Sequence, residues 1–591
     1  MPDNVYLNHM TSLRKGLKYQ FPTYPNRATP FLLGLGFVTF YLPYLISYHV
    51  GPIPSFFNEV TAIGFSSLFL LFLYRSRLGS YNFPFSAIGP VCLGAILILQ
   101  ALLCRPAYWD QRLVPFLILC WFSLLIFFFA NLQDARERFL TAAAWGLFTG
   151  AITTTLVILL QRFPGLLPFH PLAIFVSPGA SFGNIAQVNH AAALLAMGFA
   201  SGILLIQQRQ LPKVVGGVSL ASLLWGGVMT GSKGFVVYII TLLTICCWFF
   251  IRRKEGKTFP RKRILLVGVG GVLFLLIGYL MNMRGFVGLF LPAAAFGERG
   301  PAMLHAWRLF TDNPVLGFGW SQFSYGVFLN SSLGDLPKMW ALGLTLPNHC
   351  HNIIFQLLAT VGFLGTISAL AAFIPLRWEV LTKEPNPICQ WLLSVLVVLA
   401  LFSMWEYPLW YAYFLLPLAL VLGFSSKTVE VKIGVDARFF ILLIPLIIAG
   451  FLVKHSSDYI SLTVSLEKVN TPEFDERTVT TLANLQRRTL FSSYVEWFCP
   501  GILTPENSSS PEGQIATCER ILKTMPVAEV AYRIPPLYQQ MNGSNEASRA
   551  LEQAYAGFPH ELKDYVESFR LSSCNRGGPL YEKAMGLIES D

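Results

Sequence analysis

Charge is scarce in this chain: Asp, Glu, Lys and Arg make up 13% of its 591 residues, about half the share usual in soluble globular proteins. A water-soluble globule is therefore a poor description. Ten cysteines include no Cys-x-x-Cys pair, and Cys246-Cys247 lies inside an apolar run, so neither a zinc ribbon nor a dithiol redox motif is present. Residues 1–29 lack a cleavable signal-peptide pattern, so the first apolar run reads as a spanning anchor. After about residue 455 there is no long apolar run.

What remains is apolar: 54% of the chain is hydrophobic. A bilayer crossing takes roughly 20 apolar residues. The candidate spans are 30–48, 58–74, 84–104, 113–131, 139–160, 188–206, 214–229, 233–251, 264–281, 352–375, 388–404, 409–424 and 437–454. Pro408 divides the stretch 388–424, which is too long for one crossing. The expected fold is an all-α polytopic membrane protein with about 12–13 transmembrane helices. The divisions are a cytoplasmic segment 1–29, a first bundle 30–281, a large periplasmic loop 282–351, a second bundle 352–454 and a helical periplasmic domain 455–591.

A net charge of +11 would suggest nucleic acid in a soluble protein. Here the excess sits in alternate short loops, as topology control requires, and no nucleic-acid partner is expected. With the N-terminus inside, the inner segments hold Arg14, Lys15, Lys18, Arg27, Arg75, Arg77, Arg136, Arg138, Arg209, Lys213, seven basic residues in 252–263, Arg377, Lys383, Lys427, Lys432 and Arg438. The short outer loops hold far fewer: none in 49–57, Arg105 and Arg112 between the third and fourth spans, and Arg162 after the fifth. The tail then lies outside, where two of Cys499, Cys518 and Cys574 have the option of pairing. Its predicted helices, Glu473–Gln486, Gln514–Thr524, Ala528–Met541 and Ser544–Ala556, have a tetratricopeptide-like rhythm without a full repeat.

Five polar clusters fall on that outer side. Gly183–His190 opens the sixth span; if it is helical, Asn184, Gln187 and His190 share a face. Capping explains Asn184 well and Gln187 poorly, so Gln187 and Asn189 are candidate site residues. In Thr230-Gly231-Ser232-Lys233-Gly234, Lys233 either snorkels to headgroups or binds phosphate. In the long loop, Arg299, Met303, Ala306 and Phe310 fit a membrane-lying amphipathic helix. Arg299 suits a phosphate, or else an ordinary ion pair with Glu298. The pentapeptide Asn348-His349-Cys350-His351-Asn352 precedes an apolar helix. Its two histidines suit proton transfer better than metal binding, since no carboxylate or third histidine lies near in sequence. Finally, Trp405–Tyr411 is an aromatic hairpin in which Glu406 requires a partner: His351, Arg299 or Lys233.

These residues resemble the O-antigen ligase/polymerase superfamily, and in particular its bacterial protein O-oligosaccharyltransferases of the PglL type. Gly183-Asn184-x-x-Gln187-x-Asn189 and Glu406-Tyr407-Pro408-Leu409-Trp410-Tyr411 are similar to the protein-glycosylating branch. Arg299 with Pro314-x-x-Gly317-x-Gly319 resembles the superfamily's large loop, and His351-Asn352, Gln356 and Gly362-x-x-Gly365 its catalytic element. Lys233 stands where the family usually has arginine, which keeps the charge but loses the bidentate fork, and Met303 stands where tryptophan is common.

The resemblance implies glycan transfer from a polyprenyl-diphosphate carrier at the periplasmic face of the bacterial inner membrane. His351 would be the general base, and Arg299 and Lys233 would stabilise the leaving diphosphate. Asn184, Gln187, Asn189, His349, Asn352, Glu406 and Tyr407 would contact substrate or orient the base. Diphosphate leaves readily, so the chemistry calls for no cofactor or metal, and single displacement predicts inversion. The acceptor is a Ser or Thr hydroxyl of a periplasmic or pilin-like protein; the alternatives are lipid A core or a second lipid-linked glycan. A lipid-linked glycan transporter is the rival of a different class, but it would place charges near the midplane and favour inverted repeats.

Overall fold

Backbone groups in hydrocarbon must satisfy one another, so the apolar runs fold as helices. The computed structural model describes residues 28–73, 80–104, 106–132, 135–163, 181–252, 299–331, 346–383, 386–432, 435–469, 471, 473–499, 510–566 and 579–589. Among these, eight helices are long and apolar enough to cross a membrane: Phe56–Leu73, Phe85–Cys104, Asp110–Ala130, Arg136–Arg162, Val188–Gln207, Lys233–Phe250, Ile353–Ala371 and Leu443–Lys468. Four shorter apolar helices, Pro30–Tyr44, Lys213–Met229, Pro387–Phe402 and Ala412–Ser425, occupy four more of the expected runs. The run 264–281 lies outside the described residues. The protein is an all-α polytopic membrane protein; among the described residues it has one small antiparallel ribbon, Ser80–Pro84 against Thr428–Lys432.

The helix Val188–Gln207 is the axis of the bundle: 83% of its most apolar 18-residue stretch is buried, against 17% of the corresponding stretch in Leu443–Lys468. Its Ala and Gly residues make this possible. A Cβ on Gly198 would lie 2.1 Å from the Ala151 side chain, so the backbones of these two helices approach as only small residues allow. Pro408 marks a real break, a short 3-10 turn Pro408–Trp410 between Pro387–Phe402 and Ala412–Ser425. The ribbon closes the far end of the bundle, and the polar clusters gather at the near end.

A second break was not foreseen. The helix Ile353–Ala371 is interrupted at Gly362, whose φ is 64°. The loop Pro314–Gly319 fills the gap with backbone bonds. Phe318 and Gly319 N–H donate to the Ala359 and Thr360 carbonyls (2.8 and 3.1 Å), and Phe363 and Leu364 N–H donate to Pro314 and Val315 (2.8 and 3.2 Å). A Cβ on Gly317 or Gly362 would sit 2.5 Å from the other strand's backbone. The two glycine motifs are therefore halves of one joint. Gln100 seals it from a third helix, its Nε2 donating to Leu316 O (2.7 Å) and Thr360 O (2.8 Å).

The loop helix forms as Arg299–Asp312, but with a different buried face from the expected one. Ala302, His305, Ala306 and Leu309 are buried, whereas Met303 and Phe310 are only half-buried, because the face packs on Phe323, Val327 and Cys350. The boundary placed at 454 falls inside a continuous helix, Val435–Lys468, since its polar second half packs on the tail rather than ending at the bilayer. The tail helices are Glu476–Arg488, Ser492–Phe498, Pro511–Leu522, Ala528–Gln540, Ser544–Gly557 and Pro579–Glu589. Phe328 and Leu346, on either side of the loop's undescribed part, enter the tail's apolar core beside Tyr532, Leu551 and Phe558. The Cys499 and Cys518 thiols are free and buried, and Cys574 lies outside the described residues.

Candidate active site

Four helix ends meet at the near end of the bundle. Asn352 caps Ile353–Ala371, its Oδ1 accepting from Ile354 and Phe355 N–H (3.1 and 3.2 Å). Its Nδ2 donates to Met404 O (3.2 Å), and Ile353 N–H donates to Ser403 O (2.9 Å), which fastens the histidine segment to the aromatic hairpin. Gln187 is the cap of Val188–Gln207, its Oε1 accepting from His190 N–H at 2.8 Å. The cluster is not a continuous helix: Gly183–Ile185 is a 3-10 turn, Gln187 is extended, and the helix starts at Val188. The cap expected at Asn184 is thus found at Gln187. Asn184 faces away, its Nδ2 donating to Leu45 O (2.9 Å) and its carbonyl meeting His49 Nε2 (2.5 Å).

The centre is a chain of four side chains. Ser232 Oγ donates to Asn189 Oδ1 (2.7 Å), and Asn189 Nδ2 donates to Glu406 Oε1 (2.9 Å). Glu406 Oε2 meets His351 Nδ1 at 3.3 Å. Ser232 and Glu406 together fix the amide, since a carboxylate only accepts. His351 Nδ1 consequently carries the proton that it gives to Glu406, and Nε2 keeps its lone pair. Glu406 is nearly buried (6% of its side chain exposed), while His351 is open (34%), so the carboxylate is the fixed end and the imidazole the accessible one.

His351 has φ 56°, a left-handed conformation that histidine tolerates better than branched residues do. It is held there because its N–H donates to His349 Nδ1 at 3.1 Å. His349 is buried between Tyr407 (ring centroids 4.4 Å) and Trp410 (4.8 Å). Burial, and then the neighbouring His351, hold its pKa well below the usual imidazole range. It is neutral, as an acceptor at Nδ1 must be. Burial pushes the Cys350 thiol up to about 12, so it is not a nucleophile in waiting. Burial and Glu406 likewise raise Tyr407.

Lys233 is exposed, one residue beyond Ser232 at the start of Lys233–Arg252. Arg299 begins the helix Arg299–Asp312, and its side chain lies outside the description. Among the described residues no three His, Cys, Asp or Glu converge as a metal set. Of the three partners expected for Glu406, His351 is found against it. Asn189 was not considered, although two clusters both predicted on the outer side were a signal that they meet. Gln100 and Arg112 were missed, the first as one polar residue in an apolar run, the second as an ordinary loop charge.

Fold and site together define a multi-pass membrane protein with a histidine–carboxylate pair at one end of its bundle. Residues 218–370 match the family described as O-Antigen ligase, and 390–570 match the C-terminal part of the virulence factor membrane-bound polymerases. Both matches are to families of the O-antigen ligase/polymerase kind, which the chain resembles over these two stretches. A general O-oligosaccharyltransferase of Acinetobacter baylyi is 25% identical over 318 residues, 51% of this chain. The chain spans about half the length of that curated relative, 54%.

Proposed function

We propose that the protein transfers a glycan from a polyprenyl-diphosphate donor to Ser or Thr hydroxyls of periplasmic or pilin-like proteins. The observation that carries this is the chain Ser232–Asn189–Glu406–His351, which leaves the second ring nitrogen of a half-exposed imidazole as a base. His351 Nε2 takes the proton of the acceptor hydroxyl as its oxygen attacks the anomeric carbon. The bond from that carbon to the diphosphate oxygen breaks with its electron pair, and polyprenyl diphosphate leaves. Lys233 and Arg299 stabilise the charge growing on it. Single displacement inverts the anomeric centre. Asn189 acts through Glu406, and Asn184, Gln187 and Asn352 shape the turns that carry the site.

The near end and the tail face the periplasm of an inner-membrane protein. The far end's basic residues, Arg136, Arg138, Arg377, Lys427 and Lys432, support that orientation. The match of 390–570 to a polymerase family favours a second reading, in which a lipid-linked glycan hydroxyl is the acceptor; O-antigen ligation to lipid A core uses the same chemistry. The test incubates purified protein with lipid-linked glycan and each acceptor class, and reads product mass and anomeric configuration. Transfer to protein, lost in His351→Ala at equal protein level, supports the proposal. Chain extension of the lipid-linked glycan supports the polymerase, and retention excludes single displacement. Movement of intact donor across vesicles without covalent transfer would favour a transporter.

A further inference from the structure

The polar bonds of Gln100 go beyond sealing the helix break. Its Oε1 accepts from Trp320 N–H at 3.0 Å, a bond the break does not need. From the next helix, Arg112 Nη1 donates to the carbonyl of the same residue. Both backbone polar groups of Trp320 are thus gripped by buried side chains from two helices, with Gln100 1% and Arg112 2% exposed. The Trp320 ring lies parallel on Trp410 (5.2 Å, 2°). Trp410 meets His349 edge-on (4.8 Å, 87°), and His349 holds the backbone of His351. Interfacial tryptophans ordinarily serve as headgroup anchors. That role calls for neither a parallel pair nor two gripped backbone groups.

We propose that Gln100, Arg112 and the Trp320–Trp410 pair are positioning residues that set the place of the His349–His351 segment. The stack transmits the fixed geometry of the membrane helices to the candidate base. Two flat rings suit this task because each has only two side-chain torsions to fix. The gain lies in the orientation of His351 toward the reacting centre, where small displacements are costly. This inference rests on the transfer reaction proposed above only for its kinetic consequence.

The test uses the full chain in lipid nanodiscs, with Trp320→Leu, Trp320→Phe and Trp410→Leu. Two properties are read: transfer kinetics, and carbethoxylation of each histidine by diethyl pyrocarbonate, located by mass spectrometry. In the unaltered protein the half-exposed His351 reacts and the buried His349 is protected. Trp320→Leu is expected to lower kcat about ten- to hundredfold with little change in donor KM, and to make His349 reactive. Trp320→Phe keeps a flat ring and restores most of both. Trp410→Leu removes the other half of the stack without touching the helix break, and must reproduce both changes; it decides the matter if Trp320→Leu does not fold. Protection of His349 in both leucine variants, or equal defects in the phenylalanine and leucine variants, overturns the proposal. If the unaltered protein transfers no glycan, the functional reading fails and the footprint still decides the positioning.

Discussion

Glu406→Gln changes one atom type and should disable the site without disturbing its packing. The carboxylate accepts from Asn189 Nδ2 at 2.9 Å and meets His351 Nδ1 at 3.3 Å. A carboxamide has one oxygen and one NH2. Ser232 donates to Asn189 Oδ1, so Asn189 keeps its NH2 toward residue 406 and claims the glutamine oxygen. The glutamine NH2 then faces His351, whose Nδ1 must accept. The ring proton moves to Nε2, and the lone pair needed for the acceptor hydroxyl is gone. General base catalysis contributes about 10²–10⁴-fold, so kcat should fall by that factor, or about 3–5 kcal/mol in barrier, with stability little changed. The same logic predicts a suppressor. In Glu406→Gln/Ser232→Ala the amide of Asn189 is free to turn, present its oxygen to the glutamine NH2, and leave the glutamine oxygen for His351 Nδ1–H. Activity should recover about tenfold or more over the single variant. The assay is steady-state transfer with purified proteins matched for thermal unfolding. Near-normal kcat in Glu406→Gln would refute the tautomer argument, and a double variant no better than the single would refute the role given to Ser232.

Two further expectations concern the same end of the bundle. His349 is held neutral, with its folded pKa below the unfolded value of about 6.5, so the unfolded chain binds the extra proton first. Stability should be level above about pH 7 and fall as pH drops below 6.5, by up to about 1.4 kcal/mol per unit. His349→Asn offers an oxygen to His351 N–H without titrating, and should flatten that slope in thermal unfolding against pH; an unchanged slope would clear His349. At the helix break, Gly362→Ala combines a positive φ with a Cβ 2.5 Å from the backbone of the inserted loop. It should cost about 2–4 kcal/mol and expose the loop to protease, whereas Gly34→Ala, with open space around it, should not.

The spans and the Pro408 break were legible because hydropathy and proline act locally. The gathering of polar clusters at one end was expected from the alternation of charge bias along the chain. The partner of Glu406 was narrowed to three residues but not reached, since pairing depends on how helix ends rotate. Capping was assigned to Asn184 and found at Gln187, because the backbone leaves the helix at Ala186, whose φ is 59°. Nothing local distinguishes Gln100 from a tolerated polar residue in an apolar helix. Its bonds go to residues 216 to 260 positions away, and sequence periodicity carries no information at that range.

The joint at Gly362 also bears on how the protein is made. Neighbouring helix turns cannot satisfy the carbonyls of Ala359 and Thr360 or the amides of Phe363 and Leu364, and hydrocarbon tolerates no such vacancies. Every group that completes them, Gln100 and Pro314–Gly319, is synthesised before the helix that needs it. As Ile353–Ala371 emerges from the ribosome, its template is already waiting. Integration of that helix into the bilayer and capture of the preceding loop are therefore expected to be one event of biogenesis rather than two.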